Sequence, residues 1–407
     1  MSKVDVVLGL QWGDEGKGKT TDYLCDKYDI VARFQGGGNA DHTLQIDGKK
    51  YILRTLPSGV FHKDVKCVIG SGCVINPIEL KKEIESLSEL NLNIEDRLFI
   101  SNRAFITLPT HVLLDELREK NGKGVGSTKT GIGPTFTDKV SRKGLMIGYI
   151  LNDDFSIKSH NSMLRDYDEI SKLSKTDFDV YEYLDDFIEA TEFFKDYLNI
   201  TNTEYLINNA LLNNEKVLAE GAQGTMLDLN FGSYPNVTSN GTTTSAVCSG
   251  LGIAPQKIGN VYGTFKPYLT RVGGGTFPTY LNNEISNIMI VNGHEYDVHG
   301  RERKCGWLDL PLLKYSIMLN GVTELFMMKV DVLDTFDEIE VCIGYEDGNE
   351  INFDIENRNP IYKTFKGCNG NYDSVEFNEF ISFLETELNT KITHISNDPG
   401  RNMITLN

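Results

Sequence analysis

The segment Gly13-Asp14-Glu15-Gly16-Lys17-Gly18-Lys19-Thr20 crowds three glycines, two carboxylates and two lysines into eight residues. It follows an apolar run, Val4-Asp5-Val6-Val7-Leu8-Gly9, and formally satisfies the phosphate-loop pattern Gly-x4-Gly-Lys-Thr. Glycines let successive backbone N–H groups turn toward an anion, and a helix starting just beyond adds positive potential. Lys17 and Lys19 add charge. Asp14 and Glu15 break the pattern. A carboxylate beside phosphates is repelled unless it holds a divalent cation or works as a base. A second Gly-rich loop, Gln35-Gly36-Gly37-Gly38-Asn39-Ala40-Asp41-His42-Thr43, ends on a histidine. A lone histidine is usually structural. Here, one strand away from the first loop, it can donate a proton or hydrogen bond to developing negative charge.

Positioning both loops requires a sheet. Residues 4–9, 29–34, 50–56 and 65–70 read as strands, and a helix is expected to start at Thr20 and run to Tyr28. Residues 77–87 have helical spacing, with Pro77 near the start where it is tolerated. Strands alternating with helices predict an α/β fold with a large, mainly parallel central sheet, flanking helices and a phosphate-loop-like first strand–loop–helix. Residues 151–215 contain no glycine and are rich in acidic, Tyr, Phe and Leu residues. The spacing of Tyr181, Leu184, Phe187 and Ile188 predicts a helical insertion there. Strand and Gly-loop texture returns over 216–345, and the polar stretch 346–375 is expected to be a surface excursion. No Pro/Ser linker interrupts the chain, so a single domain spanning 1–407 is expected, with about 151–215 inserted in it.

Composition narrows the function classes. Of 407 residues, 40% are hydrophobic and 24% charged, an ordinary globular balance that excludes a disordered or collagenous chain. No apolar run approaches the ~20 residues of a membrane helix. The 40 Lys and Arg against 58 Asp and Glu leave a net charge of −18, which argues against nucleic acid as the main partner while allowing a local phosphate pocket. No secretory leader is expected from the first residues, and the seven cysteines show no metal-ligand spacing. Reduced thiols in a cytoplasmic protein are expected.

The two loops together resemble adenylosuccinate synthetase, whose hallmark Gln-Trp-Gly-Asp-Glu-Gly-Lys-Gly-Lys stands here as Gln11 to Lys19. The resemblance continues through Gly126-Ser127-Thr128-Lys129-Thr130-Gly131-Ile132-Gly133-Pro134, Glu220-Gly221-Ala222-Gln223-Gly224-Thr225, Thr270-Arg271-Val272-Gly273-Gly274-Gly275, Gly306-Trp307-Leu308-Asp309 and Lys329-Val330-Asp331. It implies a two-step ligation. GTP phosphorylates the 6-oxygen of IMP, and the amine of L-aspartate then displaces phosphate to give adenylosuccinate. It further implies Asp14 as base and Mg2+ ligand, the backbone of Asp41 as a second Mg2+ ligand, and His42 as the group assisting at the 6-oxygen. GTP would be held by Gly13, Glu15, Gly16, Lys17, Gly18, Lys19, Thr43, Arg303, Lys329, Asp331 and Ser396. IMP would be held by Asn39, Thr128, Gln223, Thr238 and Arg301, with Arg142 reaching the IMP phosphate of a partner subunit in a homodimer. Arg301 and Arg303 would meet the aspartate carboxylates, as planar guanidinium suits. Asp331 would accept from guanine N1–H and its 2-amino group, a pattern adenine lacks.

Three departures from the family stand out. Asp41 replaces a glycine before the histidine. Val298 and His299 replace threonines in the aspartate loop, which is one residue shorter. Ser396-Asn397-Asp398-Pro399-Gly400-Arg401 replaces a Ser-Thr-Gly-Pro segment that packs on guanine. The alternatives are a relative making 2-aminoadenylosuccinate from dGMP, which the retained Asp14 weighs against, and a non-catalytic nucleotide-binding protein.

Overall fold

Valine, isoleucine and leucine dominate the first strand, Val4–Gly9, and both of its faces are buried: Val4, Val6 and Leu8 on one side, Val7 on the other. Such a strand belongs in the middle of a sheet covered on both sides. The computed structural model describes residues 2–122, 124–174, 183–296 and 300–406. It places Val4–Gly9 within a ten-stranded sheet, between Ile258–Phe265 and Val217–Glu220. Beyond Ile258–Phe265 come Glu324–Met327, Ile392–Ile395 and the antiparallel edge Ile404–Thr405. Beyond Val217–Glu220 come Ile30–Arg33, Lys66–Ile69, Leu98–Ser101 and Asn199–Thr201, all parallel. The expected large, mainly parallel sheet is therefore observed.

Helices cover both faces. Thr203–Leu212, Ser245–Leu251 and Val375–Leu388 pack with Val4, Val6, Leu8 and Ala32. Helix Lys17–Leu24 lies over Val7, Val31 and Leu218 on the other. A second sheet of four strands, Tyr268–Arg271, Lys304–Asp309, Glu338–Tyr345 and Pro360–Lys366, stands beside the main one.

Several elements differ from the expectations. The first helix begins at Lys17, three residues before Thr20, because Gly16 takes the left-handed conformation (φ 78°) and caps it. The stretch 42–53 is a hairpin, His42–Ile46 with Lys49–Leu53. The region 151–215 holds helices Phe155–Leu173, Leu184–Tyr197 and Thr203–Leu212, but also strand Asn199–Thr201, which closes the sheet edge. Tyr181 lies outside the described residues. The polar stretch 346–375 contains Pro360–Lys366, paired antiparallel with Glu338–Tyr345. All seven cysteines are free, and Cys25, Cys67, Cys73, Cys305 and Cys342 are buried. Among the described residues no helix is long and apolar enough to cross a membrane.

The sheet and the helix Ser245–Leu251 meet backbone to backbone where Gly250 faces Phe34. A Cβ at Gly250 would overlap the Phe34 carbonyl oxygen, which no rotamer change relieves. Ala gains up to about 1 kcal/mol of helix propensity over Gly, but overpacking costs about 1–3 kcal/mol. Gly250→Ala should therefore lower the urea midpoint of unfolding. An unchanged or higher midpoint would contradict this packing.

Candidate active site

Parallel strands deliver their following loops to one edge. The loops at 10–16, 34–41, 221–228, 328–331 and 396–401 all leave carboxyl ends of neighbouring strands, where open α/β sheets bind ligands. In the first loop the two carboxylates part company. Glu15 has no solvent exposure. Its Oε1 accepts from the backbone N–H of Gln11 (3.0 Å) and Gly13 (2.9 Å), and its Oε2 pairs with Lys17 Nζ at 2.5 Å. Glu15 thus lies beneath the loop and braces it, rather than facing an anion. Gly224 makes room for it, since a Cβ there would stand 2.5 Å from Glu15 Oε1. Asp14 turns outward on a left-handed residue (φ 62°), and its Oδ2 lies 3.2 Å from Arg303 Nε.

His42 starts the hairpin that packs on the first helix, so closely that a Cβ on Gly18 would stand 2.7 Å from His42 Cβ. Its ring is 6% exposed, and Nδ1 lies 2.6 Å from Glu220 Oε1. Glu220 ends the strand Val217–Glu220 and also accepts from Ser58 N (2.8 Å) and Ser58 Oγ (2.6 Å). Burial pushes His42 below its ordinary pKa against the opposing pull of Glu220. Burial works to raise Glu220, but His42, Arg33 and Ser58 outweigh it, and the carboxyl lies below its ordinary value. The 2.6 Å contact ties the ring to the carboxylate through Nδ1. The ring Nε2 is buried with no partner in the protein. So are Gln223 Oε1 and both amide atoms of Asn240. Each such atom costs about 1–3 kcal/mol unless a ligand satisfies it.

The other expected site residues group by strand order. Gln223 Nε2 donates to Asn39 Oδ1 at 2.9 Å, joining the loops that follow Val217–Glu220 and Ile30–Arg33. Asp41 pairs with Arg54 at 3.4 Å, and burial, with Asp14 adding, pushes its carboxyl up against Arg54. Thr43 is exposed on the hairpin. Thr128 shares a 2.9 Å hydroxyl contact with Thr130. Gly126, in the same segment, packs on Gly273 and Gly274. Thr238 is half-buried, and Arg142 is an exposed left-handed residue (φ 63°) closing helix Ile132–Ser141.

Further along the sheet, Lys19 Nζ donates to Ser396 Oγ and to the Asp398 carbonyl, both at 2.7 Å. Ser396 O in turn accepts from Val330 N at 2.9 Å, so the Asp331 turn and the 396–401 segment are one unit. Lys329 (φ 57°) reaches Glu295 Oε1 at 2.8 Å, and Arg303 Nη1 reaches Glu295 Oε2 at 2.8 Å. Arg301 is exposed. Val298 and His299 lie outside the described residues.

Two residues of this site were not anticipated. Glu220 had a readable signal, a carboxylate ending the apolar run Val217-Leu218-Ala219. Glu295 had none. One other cluster brings metal-ligand types together: His111, Asp138 and Asp166, with ligand atoms within 4.8 Å of one another. It does not suit a cation. His111 Nδ1 accepts from Leu108 N–H (3.1 Å), so Nε2 carries the ring proton and faces the carboxylates at 3.5 and 3.8 Å.

Comparison with known proteins bears on the family and the fold. The family model described as adenylosuccinate synthetase matches residues 6–405. An adenylosuccinate synthetase of Bacteroides thetaiotaomicron is 48% identical over 415 residues, covering 98% of this chain and 97% of that one. The structure of fully ligated adenylosuccinate synthetase from Plasmodium falciparum superposes with a TM-score of 0.92 at 36% identity, covering 100% of both chains. Cyanophage S-2L succinoaminodeoxyadenylate synthetase, bound to dGMP and dATP, has a TM-score of 0.67 at 17% identity over 100% of this chain and 95% of that one, a likeness of fold alone. The chain belongs to the adenylosuccinate synthetase family.

Proposed function

We propose that the loops at the carboxyl edge of the sheet divide the labour of one reaction, the GTP-dependent ligation of IMP and L-aspartate to adenylosuccinate, GDP and phosphate. The lactam oxygen of IMP is a poor leaving group. Removing the proton from N1 makes the 6-oxygen nucleophilic toward the γ-phosphoryl of GTP, and the resulting phosphate ester then leaves when the aspartate amine attacks C6. Asp14 is the base at N1: it is the carboxylate of the first loop that turns outward. His42 supplies the donor. With Nδ1 held by Glu220, protonation at Nε2 gives an imidazolium that donates to the 6-oxygen and the transferring phosphoryl group, and Glu220 stabilises that charge. The unpartnered, buried Nε2 of His42 is the observation that carries this reading.

Binding follows the order of the strands. Asn39, Gln223, Thr128, Thr238 and Arg301 serve IMP. Gly13, Glu15, Gly16, Lys17, Gly18, Lys19 and Thr43 build the phosphate side of the GTP site, with Glu15 acting from beneath the loop. Lys329, Asp331 and Ser396 form its guanine side. A carboxylate at Asp331 accepts from guanine N1–H and the 2-amino group, which favours GTP over ATP. Arg301 and Arg303 bind the aspartate carboxylates, with Val298 and His299 just before them in the chain. The residues also fit Mg2+. Asp41 and Asp14 lie close enough for each charge to oppose the other, and a hard, oxygen-seeking cation relieves that opposition. The Asp14 carboxylate and the Asp41 backbone carbonyl would hold it, and when bound it neutralises phosphate charge. Arg142 reaches the IMP phosphate of a second subunit in a homodimer, consistent with its exposure at a helix end.

Supplied with IMP, GTP, Mg2+ and L-aspartate, the protein should form adenylosuccinate, and dGMP in place of IMP should give no succino-nucleotide. Asp14→Asn should lower kcat by about 10²–10⁴-fold, the usual range for a general base, with unchanged circular dichroism. Turnover within tenfold of the parent would remove Asp14 as the base.

The imidazolium form of His42 is the donor, and Glu220 raises its pKa against the lowering by burial. Glu220→Gln removes the raising effect, so the imidazolium persists only at lower pH. The alkaline limb of the kcat–pH profile should move to lower pH, with the deficit largest near pH 8.5 and smallest near pH 6. An unshifted limb would sever Glu220 from the chemistry. For the homodimer, Arg142→Leu should raise the IMP KM far more than the GTP KM. Mixing it with Asp14→Asn should restore part of the activity, because a hybrid dimer regenerates one complete site; no restoration would contradict a shared site.

A further inference from the structure

Glu295 sits at the base of the loop that carries Arg301 and Arg303. It has no solvent exposure, and its carboxylate gathers four donors from three separate segments. Oε1 accepts from Tyr268 OH (2.5 Å), Lys329 Nζ (2.8 Å) and Lys266 Nζ (3.2 Å). Oε2 accepts from Arg303 Nη1 (2.8 Å). The backbone repeats the link, since Arg303 N donates to Glu295 O at 3.0 Å and Tyr296 bridges Glu302. Lys329 is tied a second time, to Gly293 O at 2.9 Å. Lys266 is fully buried; its ammonium also bonds Thr270 Oγ1 and lies 4.8 Å from the centre of the Tyr268 ring.

The donors divide into two sets. Lys266 and Tyr268 are buried and face only this carboxylate and its immediate neighbours. Lys329 and Arg303 are its links to the site: Arg303 Nε lies 3.2 Å from Asp14, and Lys329 opens the turn bearing Asp331. With Glu295 removed, Lys266, Lys329 and Arg303 lose the anion they share. They repel one another, and neither Arg303 nor Lys329 keeps its direction.

We infer that Glu295 is a positioning residue that fixes Arg303 and Lys329 together, so that the amino-acid end and the guanine end of the crevice are set by one buried carboxylate. The inference rests on the assignment of Arg303 to aspartate and Lys329 to GTP made above. It goes further in coupling the two: a defect at Glu295 must appear in both sites at once. Apart from Arg301, the IMP contacts come from the loops around residues 39, 128, 223 and 238, none of which bonds to Glu295, so IMP binding should be largely spared.

Steady-state kinetics on Glu295→Gln test this, with each substrate varied at saturation of the others. The aspartate and GTP KM values should both rise by about 10–100-fold, the range expected when a charged group loses its hydrogen bond, while the IMP KM stays within about twofold. Tyr268→Phe is isosteric, keeps the buried charge and folds without a cavity. It removes one anchor of the carboxylate and should raise the same two KM values by about 3–10-fold. In a Lys329→Met background the effect of Glu295→Gln on the GTP KM should shrink to the part carried by Arg303, while its effect on aspartate remains in full. Equal rises for all three substrates, a rise for one alone, or Tyr268→Phe kinetics indistinguishable from the parent would overturn the proposal. The parent's turnover of IMP, GTP and aspartate tests the functional reading separately, so the two failures are distinguishable.

Discussion

Three glutamates without solvent exposure, Glu15, Glu220 and Glu295, hold the groups that line the crevice. Glu15 holds Lys17 and the backbone of the first loop, Glu220 holds His42, and Glu295 holds Arg303 and Lys329. The other features of the site depend on this. A lysine, an imidazole and an arginine point in fixed directions because a buried anion holds each from the protein side.

The arrangement is costly in isolation. Moving a carboxylate and a cation out of water costs several kcal/mol per ion, and their attraction repays it only with good geometry and further hydrogen bonds. Each glutamate meets that condition: Glu15 takes two backbone N–H groups, Glu220 takes Ser58 twice, and Glu295 takes Tyr268 and three cations. What the fold gains is preorganisation. Phosphoryl transfer asks little covalent chemistry of a protein and a great deal of positioning and charge stabilisation. Dipoles and charges already oriented do not have to reorganise as charge develops on the 6-oxygen.

Much of the sheet was legible because its strands obey local rules. Val4–Gly9 is apolar and ends on glycine, and helix Pro77–Ser86 has its proline at the first turn and Asn76 capping it. Strand His42–Ile46 follows directly on a Gly-rich loop; Thr43 faces out and Leu44 in, but its reading as a strand depends on pairing with Lys49–Leu53. Strand Asn199–Thr201 is three residues long and exists because Leu98–Ser101 offers an edge. In the site, Asp14 and His42 could be singled out because unusual residues stand in Gly-rich loops. The inward turn of Glu15 could not be read from spacing, which places both carboxylates of the first loop in the same cradle. Glu295 was invisible for a different reason. Its donors Lys266 and Lys329 lie 29 residues before it and 34 after it, so only the folded chain brings them together.

At the centre of the account is the 6-oxygen of IMP, which a loop carboxylate and a glutamate-held histidine turn into a phosphate ester and then into a leaving group. The most direct measurement follows that atom. With [6-18O]IMP, GTP and L-aspartate, the label should leave entirely in inorganic phosphate, one 18O for each adenylosuccinate formed. Label released as water, with unlabelled phosphate arising from GTP hydrolysis alone, would contradict the phosphorylated intermediate and the roles given to Asp14 and His42.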